Sequence, residues 1–149
     1  MRLSRNKVDT DAISATFAMS FAGGDAEPAI LASLHFSVLE PFAVTASFTL
    51  PDAPAVKWVM ARDLLREGIA LPTGIGDIRI YPCDEGLFIE LHSPSGRAVL
   101  QGPMEPVVDF VARIYQAVPE SREQEFFSLD AELDLLTDLY RRRDIGYDV

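Results

Sequence analysis

Strict two-residue alternation fills the first third of the chain and constrains the fold more than any other feature. Ile13, Ala15, Phe17, Met19 and Phe21 fall on one side of an extended chain, with Ser14, Thr16, Ala18 and Ser20 between them. Ile30, Ala32, Leu34, Phe36 and Val38 repeat the period. Phe42, Val44, Ala46, Phe48 and Leu50 repeat it again, with Ala43, Thr45, Ser47 and Thr49 outside. Successive side chains of a strand point to opposite faces, so this pattern predicts half-buried strands. The first ends at Gly23-Gly24. Pro41 separates the other two segments, which read as one bent strand or as two.

Further along, Pro51-Asp52-Ala53-Pro54 carries turn chemistry and leads into a fourth strand with Val56, Trp58 and Met60 on one face and Lys57 and Val59 on the other. A short helical turn is expected from Arg62 to Glu67, stopped at Gly68 by a left-handed cap. Ile78 and Ile80 mark another strand, closed by Pro82, and Leu87, Ile89 and Leu91 mark the next. Ser93-Pro94-Ser95-Gly96 suits a type I turn, returning Arg97 to Gln101 as a hairpin partner.

After Pro103 the period becomes helical. Val107, Phe110, Val111, Ile114 and Val118 share one face, Pro106 sits in the first turn and Pro119 ends the helix. A second helix is expected from an N-cap at Ser128 to Arg141, Arg142 and Arg143, its acidic start and basic end complementing the helix dipole. The sum is an α+β protein: an antiparallel curved sheet or open barrel with packed helices. At 149 residues it reads as one domain, with residues 1–10 and 144–149 as mobile tails. A chain of this size buries roughly 70% of its unfolded surface and needs no metal or disulfide to fold.

The lone cysteine, Cys83, has no intramolecular partner. There is no secretory signal, and no apolar run approaches the roughly 20 residues that span a bilayer, so a cytoplasmic location is expected. With 23 acidic against 13 basic residues, the net charge of -10 repels phosphate backbones unless the basic side chains gather on one face.

Few residues point to chemistry. Gly74-Ile75-Gly76 follows a helix and precedes a strand, the reverse of the setting in which a glycine-rich loop aims helix amides at a phosphate, so it reads as a turn. His35 and His92 have no second histidine or cysteine at ligand spacing, and Cys83 has no nucleophile motif around it. Ser93 and Ser95 sit in a hairpin turn rather than a nucleophile elbow. Asp84-Glu85, and Glu123 with Glu125, read as solvated surface. Arg62 and Asp63 sit where a strand becomes a helix, either anchoring that corner through an ion pair or cap or meeting a partner. Leu129, Leu133, Leu136 and Tyr140 share a helix face that packs on its own sheet or docks on another protein. No metal or cofactor site and no catalytic set is expected.

Four motifs in this order, "FAVTASF", "VKWVMARDLLREGIALPTGIGDIRIYP", "LHSPSGRAVL" and, after a helix ending "AVP", "FFSLDAELDLL", resemble the SsgA-like family of filamentous actinomycetes. The resemblance runs from about Pro41 to Leu139, carried by ARDLL-x-EG, PTG-x-GD and SP-x-G together. It implies a non-enzymatic regulator of sporulation-specific cell division and septum placement. One family member recruits the tubulin-like division protein FtsZ to future septum sites and promotes its assembly; others help localise it or act in cell-wall remodelling. The family fold resembles the Whirly single-stranded nucleic-acid binders and forms trimers. By that resemblance the chain is expected to be a homo-oligomer at division septa. Its expected partner is FtsZ or another SsgA-like protein, with Arg62, Asp63 and Asp77 as candidates for partner contact or for holding the contact loop. The alternative is a single-stranded nucleic-acid binder, which needs a basic groove with stacking aromatics and is disfavoured by the net charge of -10.

Overall fold

The computed structural model describes residues 12–23, 29–74 and 76–123. Both tails, Glu125 and the helix expected from Ser128 to Arg143 lie outside them. The order is β1 (Ala12–Phe21), β2 (Ile30–Ser37), β3 (Ala43–Thr49), β4 (Val56–Ala61), α1 (Arg62–Gly68), β5 (Ile78–Cys83), β6 (Gly86–Ser93), β7 (Gly96–Gly102), α2 (Glu105–Ala117) and a 3-10 turn (Glu120–Arg122). The segments on either side of Pro41 are two strands rather than one bent one.

All seven strands form one antiparallel sheet in the order β4-β3-β2-β1-β7-β6-β5. β1 joins its halves, pairing with β2 from Ala12↔Ser37 to Met19↔Ile30 and then, through Ser20 and Phe21, with Gln101 and Leu100 of β7. β4 and β5 are the edge strands, and α1 packs against both. Seven strands laid flat span roughly 29 Å and a helix is only about 10 Å across, so the sheet must curl into a half-barrel for α1 to touch both edges.

The apolar phase of each strand lines the concave side. Phe17 and Met19, Ile30 to Phe36 at every second position, Val44 to Phe48 likewise, Met60, Ile78, Ile80, Leu87, Ile89, Leu91 and Leu100 are all buried. Val107, Phe110, Val111, Ile114 and Val118 of α2 and its cap fill the same interior. Each of the larger apolar side chains contributes about 1.5–3 kcal/mol by leaving water, which makes this interior the main stabilising term of the fold.

Gly68 departs from the expected left-handed cap. It is the last residue of α1 and is not among the positive-φ glycines, and the chain leaves the helix through Ile69 in a right-handed conformation. A Cβ at Gly68 would lie 2.5 Å from both Cβ and Cγ2 of Ile80, so glycine is there to let the helix approach β5. Pro82 does not close its strand either: it pairs with Leu87 and β5 continues to Cys83. Edge strands are where a residue without an N–H is tolerated. The hairpin through Pro94-Ser95 forms as expected, with Ser93 opposite Gly96.

Candidate functional site

The corner where β4 becomes α1 concentrates most of the long-range side-chain hydrogen bonds of the described residues. At Arg62 the backbone N–H still belongs to the sheet and donates to Phe42 O at 2.9 Å, while the side chain, fully buried, turns inward toward α2. Nη1 donates to Val118 O at 2.7 Å and lies 3.5 Å from Ile114 O. These carbonyls close the C-terminal end of α2, the negative end of its dipole. Nε donates to Glu123 Oε2 at 2.9 Å, and Nη2 lies 2.8 Å from the same oxygen, a charge contact without hydrogen-bond geometry. The guanidinium also stacks 3.9 Å from the centroid of Tyr115 and 5.8 Å from that of Phe36. A buried cation is tolerable only with such compensation.

Around this buried charge lies a more exposed ring. Tyr115 Oη donates to Asp63 Oδ1 at 2.6 Å, and its ring is also covered by Arg66, 4.8 Å from the centroid. Burial first, and then the Asp63 carboxylate, push the Tyr115 phenol well above the ordinary tyrosine range. Arg66 grips Glu120 at 2.8 and 3.4 Å and lies 3.7 Å from Asp63. The hydrogen bond to Glu120 raises the Arg66 pKa, and the same bond holds the Glu120 carboxyl below its usual range.

Of the three candidate residues, Arg62 and Asp63 share this corner and Asp77 does not. Arg62 is interior and offers no surface in the single chain; what it can do is hold the corner. Asp63 is half exposed, its carboxylate presented by Tyr115 and Arg66. Asp77 is exposed in the turn before β5, where its carbonyl accepts the His92 N–H at 2.8 Å. Glu123, read from sequence as solvated surface, is instead the ion-pair partner of Arg62 and only 13% exposed.

A second polar cluster on the outer face of β5 to β7 escaped the sequence reading. Glu90 is buried there, with Arg97 Nε 2.8 Å and His92 Nε2 3.0 Å from its Oε1. Burial pushes its carboxyl up, but the His92 contact and the charges of Arg97 and Arg79 outweigh it and hold it below the ordinary value. The available signal was phase: Glu90 falls between Phe88 and His92 on the outward side of a strand whose Leu87, Ile89 and Leu91 face the core.

Among the described residues no group of three histidine, cysteine, aspartate or glutamate side chains could hold a metal ion, and no helix is long and apolar enough to cross a membrane. The fold and corner define a class: a curled seven-stranded antiparallel half-barrel whose helices are bolted together by a buried arginine. Residues 30–123 match the family model described as Streptomyces sporulation and cell division protein, SsgA, and the chain belongs to that family. Similar proteins include the sporulation-specific cell division protein SsgB of Streptomyces coelicolor, 42% identical over 106 residues, covering 68% of this chain and 77% of that one. The SsgB of Thermobifida fusca is 38% identical over 108 residues, covering 70% and 78%. Two solved structures share the fold. One, from work in which mutations in SsgB correlate to longitudinal cell division during sporulation of Streptomyces coelicolor, superposes with a TM-score of 0.72 at 33% identity, covering 78% of this chain and 95% of the other. The other, an SsgA-like sporulation-specific cell division protein from Thermobifida fusca, gives 0.71 at 32%, covering 85% and 95%.

Proposed function

We propose that this protein is a non-enzymatic adaptor of sporulation-specific cell division that helps localise or assemble FtsZ at septum sites. It works in the cytoplasm as a homo-oligomer. The observation that carries this reading is the match of residues 30–123, which include the whole Arg62 corner, to a family of sporulation and cell division proteins. Asp63 and Asp77 are the proposed partner contacts, both exposed and both in the segment from β4 to β5. Arg62 acts behind them by holding α1 against α2.

The test is co-sedimentation of the purified chain with FtsZ filaments from the same organism, with filament yield followed by light scattering. Saturable co-sedimentation with more polymer is the expected result. No binding by a folded protein to active FtsZ overturns the direct adaptor role. Folded Asp63→Ala and Asp77→Ala variants should bind more weakly; unchanged binding by both removes these two as contacts.

A further inference from the structure

Strands β1 to β4 contain no aspartate or glutamate, although the chain carries 23 acidic residues. His35 and Lys57 are the ionisable side chains of these four strands, and the outward positions are otherwise mostly serine, threonine and alanine. Leu31 and Val59 stand out from them, 52% and 67% exposed. In a protein of net charge -10, this half of the sheet is where an acidic chain meets no carboxylate from the strands themselves.

Among the described strands the half-sheet ends at β4. Among the described residues β4 pairs with β3 alone. The Arg62 N–H bond to Phe42 O sets the phase of that ladder. In an antiparallel pair the residues that exchange hydrogen bonds alternate with those that do not, so Val56, Trp58 and Met60 bond toward β3. The N–H and C=O groups of Lys57 and Val59 and the N–H of Ala61 point away from it, while the Ala61 carbonyl, at the N-cap of α1, belongs to the helix. A row of such groups is a template for another extended chain.

Beside this edge opens a cleft of about 340 Å³, floored by Phe48, Val56 and Trp58 on one side and by Leu91, Ala98 and Leu100 on the other. Among the described residues its lining holds no carboxylate and one cation, Arg97. The volume lies within the roughly 300–1,000 Å³ of ligand pockets, enough to take apolar side chains.

We propose that the β4 edge and its cleft form a strand-addition site for an extended segment of a partner protein in which apolar residues alternate with acidic ones. The free backbone groups specify an extended main chain, and the period of two does the rest. Side chains on the inward phase of the added strand enter the cleft beside Val56 and Trp58. Those on the outward phase lie beside Lys57 and Val59, where a carboxylate meets a cation and no acid of β1 to β4. This deepens the adaptor reading and rests on it for the partner being a protein.

The test uses the full chain and a short peptide alternating glutamate with isoleucine or phenylalanine, followed by amide hydrogen exchange and by Trp58 fluorescence. The peptide should slow exchange at Lys57, Val59 and Ala61 and shift the Trp58 signal. N-methylating alternate peptide residues, or Val59→Pro in the protein, should weaken binding by about tenfold or more, as should lysine in place of glutamate. Equal binding by the N-methylated peptide, or protection elsewhere only, overturns the proposal without needing any protein variant. So does protection of the β4 amides in the free protein, whether constant, from a segment of the same chain, or rising with concentration, from a second copy. Because the peptide readout is independent of FtsZ, its failure alongside successful co-sedimentation removes the strand-addition site and leaves the adaptor role. The reverse pair of results removes the adaptor role.

Discussion

Arg62 Nη1 and the carbonyl oxygen of Val118, 56 positions apart in the chain, are joined by a 2.7 Å hydrogen bond that ties the first residue of α1 to the residue capping α2. With Glu123 on Nε, this interior bond makes Arg62 a bolt between the two helices and the end of β4. Arg62→Ala leaves the α2 carbonyls and the Glu123 carboxylate without their cation, and breaking a buried pair in this way costs about 3–5 kcal/mol. Arg62→Lys should recover only part, because an ammonium cannot fork between a carbonyl and a carboxylate. Glu123→Gln, which keeps an acceptor but removes the countercharge, should lose less than Arg62→Ala. Urea unfolding of the three variants checks the order; an Arg62→Ala loss under about 1 kcal/mol would mean that the bolt is dispensable.

Tyr115 supplies the second contact across this corner. Tyr115→Phe removes the 2.6 Å bond to Asp63 but keeps the ring under Arg62 and Arg66, so the expected loss is about 1 kcal/mol, not the larger cost of losing the ring. The phenol also predicts a pH dependence. Its folded pKa is raised above the ordinary 10.0, so its contribution is fully present below that value and fades as pH climbs through the folded one. Spectrophotometric titration should find Tyr115 ionising after an ordinary tyrosine, and Tyr115→Phe should remove that late step.

Gly68 gives a test with an unusual sign. Replacing a glycine by alanine inside an exposed helix ordinarily gains up to about 1 kcal/mol. Here the new methyl would meet Ile80 at 2.5 Å, so Gly68→Ala should destabilise by about 1–3 kcal/mol through overpacking. Ile80→Ala in the same chain should not restore the loss, since the Ile80 Cβ is itself one of the two atoms in the way. A more stable Gly68→Ala protein, measured by thermal or urea unfolding, would show that α1 can move off β5.

These same residues mark how far the sequence could be read. Alternation is a local property, so Phe17, Leu34, Val44 and Ile89 could be placed on the core side before their neighbours were known, and helical spacing did the same for Val107 to Val118. What alternation does not encode is the partner of each strand, and the double pairing of β1 with β2 and β7 was not legible. The position of Arg62 at a strand-to-helix corner was visible. Its acceptors were not, because Val118 and Glu123 lie 56 and 61 positions away and neither carries a local signal of that contact. Glu123 beside Glu125 looked like solvent-facing charge for the same reason. Gly68 was misread because two different needs, a left-handed turn and a close approach, select the same residue.

Glu90 contributes to the acid side of the stability profile. Burial alone would raise its pKa, yet His92, Arg97 and Arg79 together hold it below the ordinary 4.5. A carboxyl with a depressed folded pKa binds protons less readily in the folded chain than in the unfolded one. Its stabilising contribution is therefore present above pH 4.5 and is lost as pH falls through the lower folded value. Glu90→Gln removes the titrating group while keeping the shape, so the variant should lose stability less steeply than the wild type below pH 4.5, whatever its stability at neutral pH. Urea midpoints measured from neutral pH downward test this. Parallel profiles for the two proteins would show that the cross-strand cluster does not hold the carboxylate in its charged form.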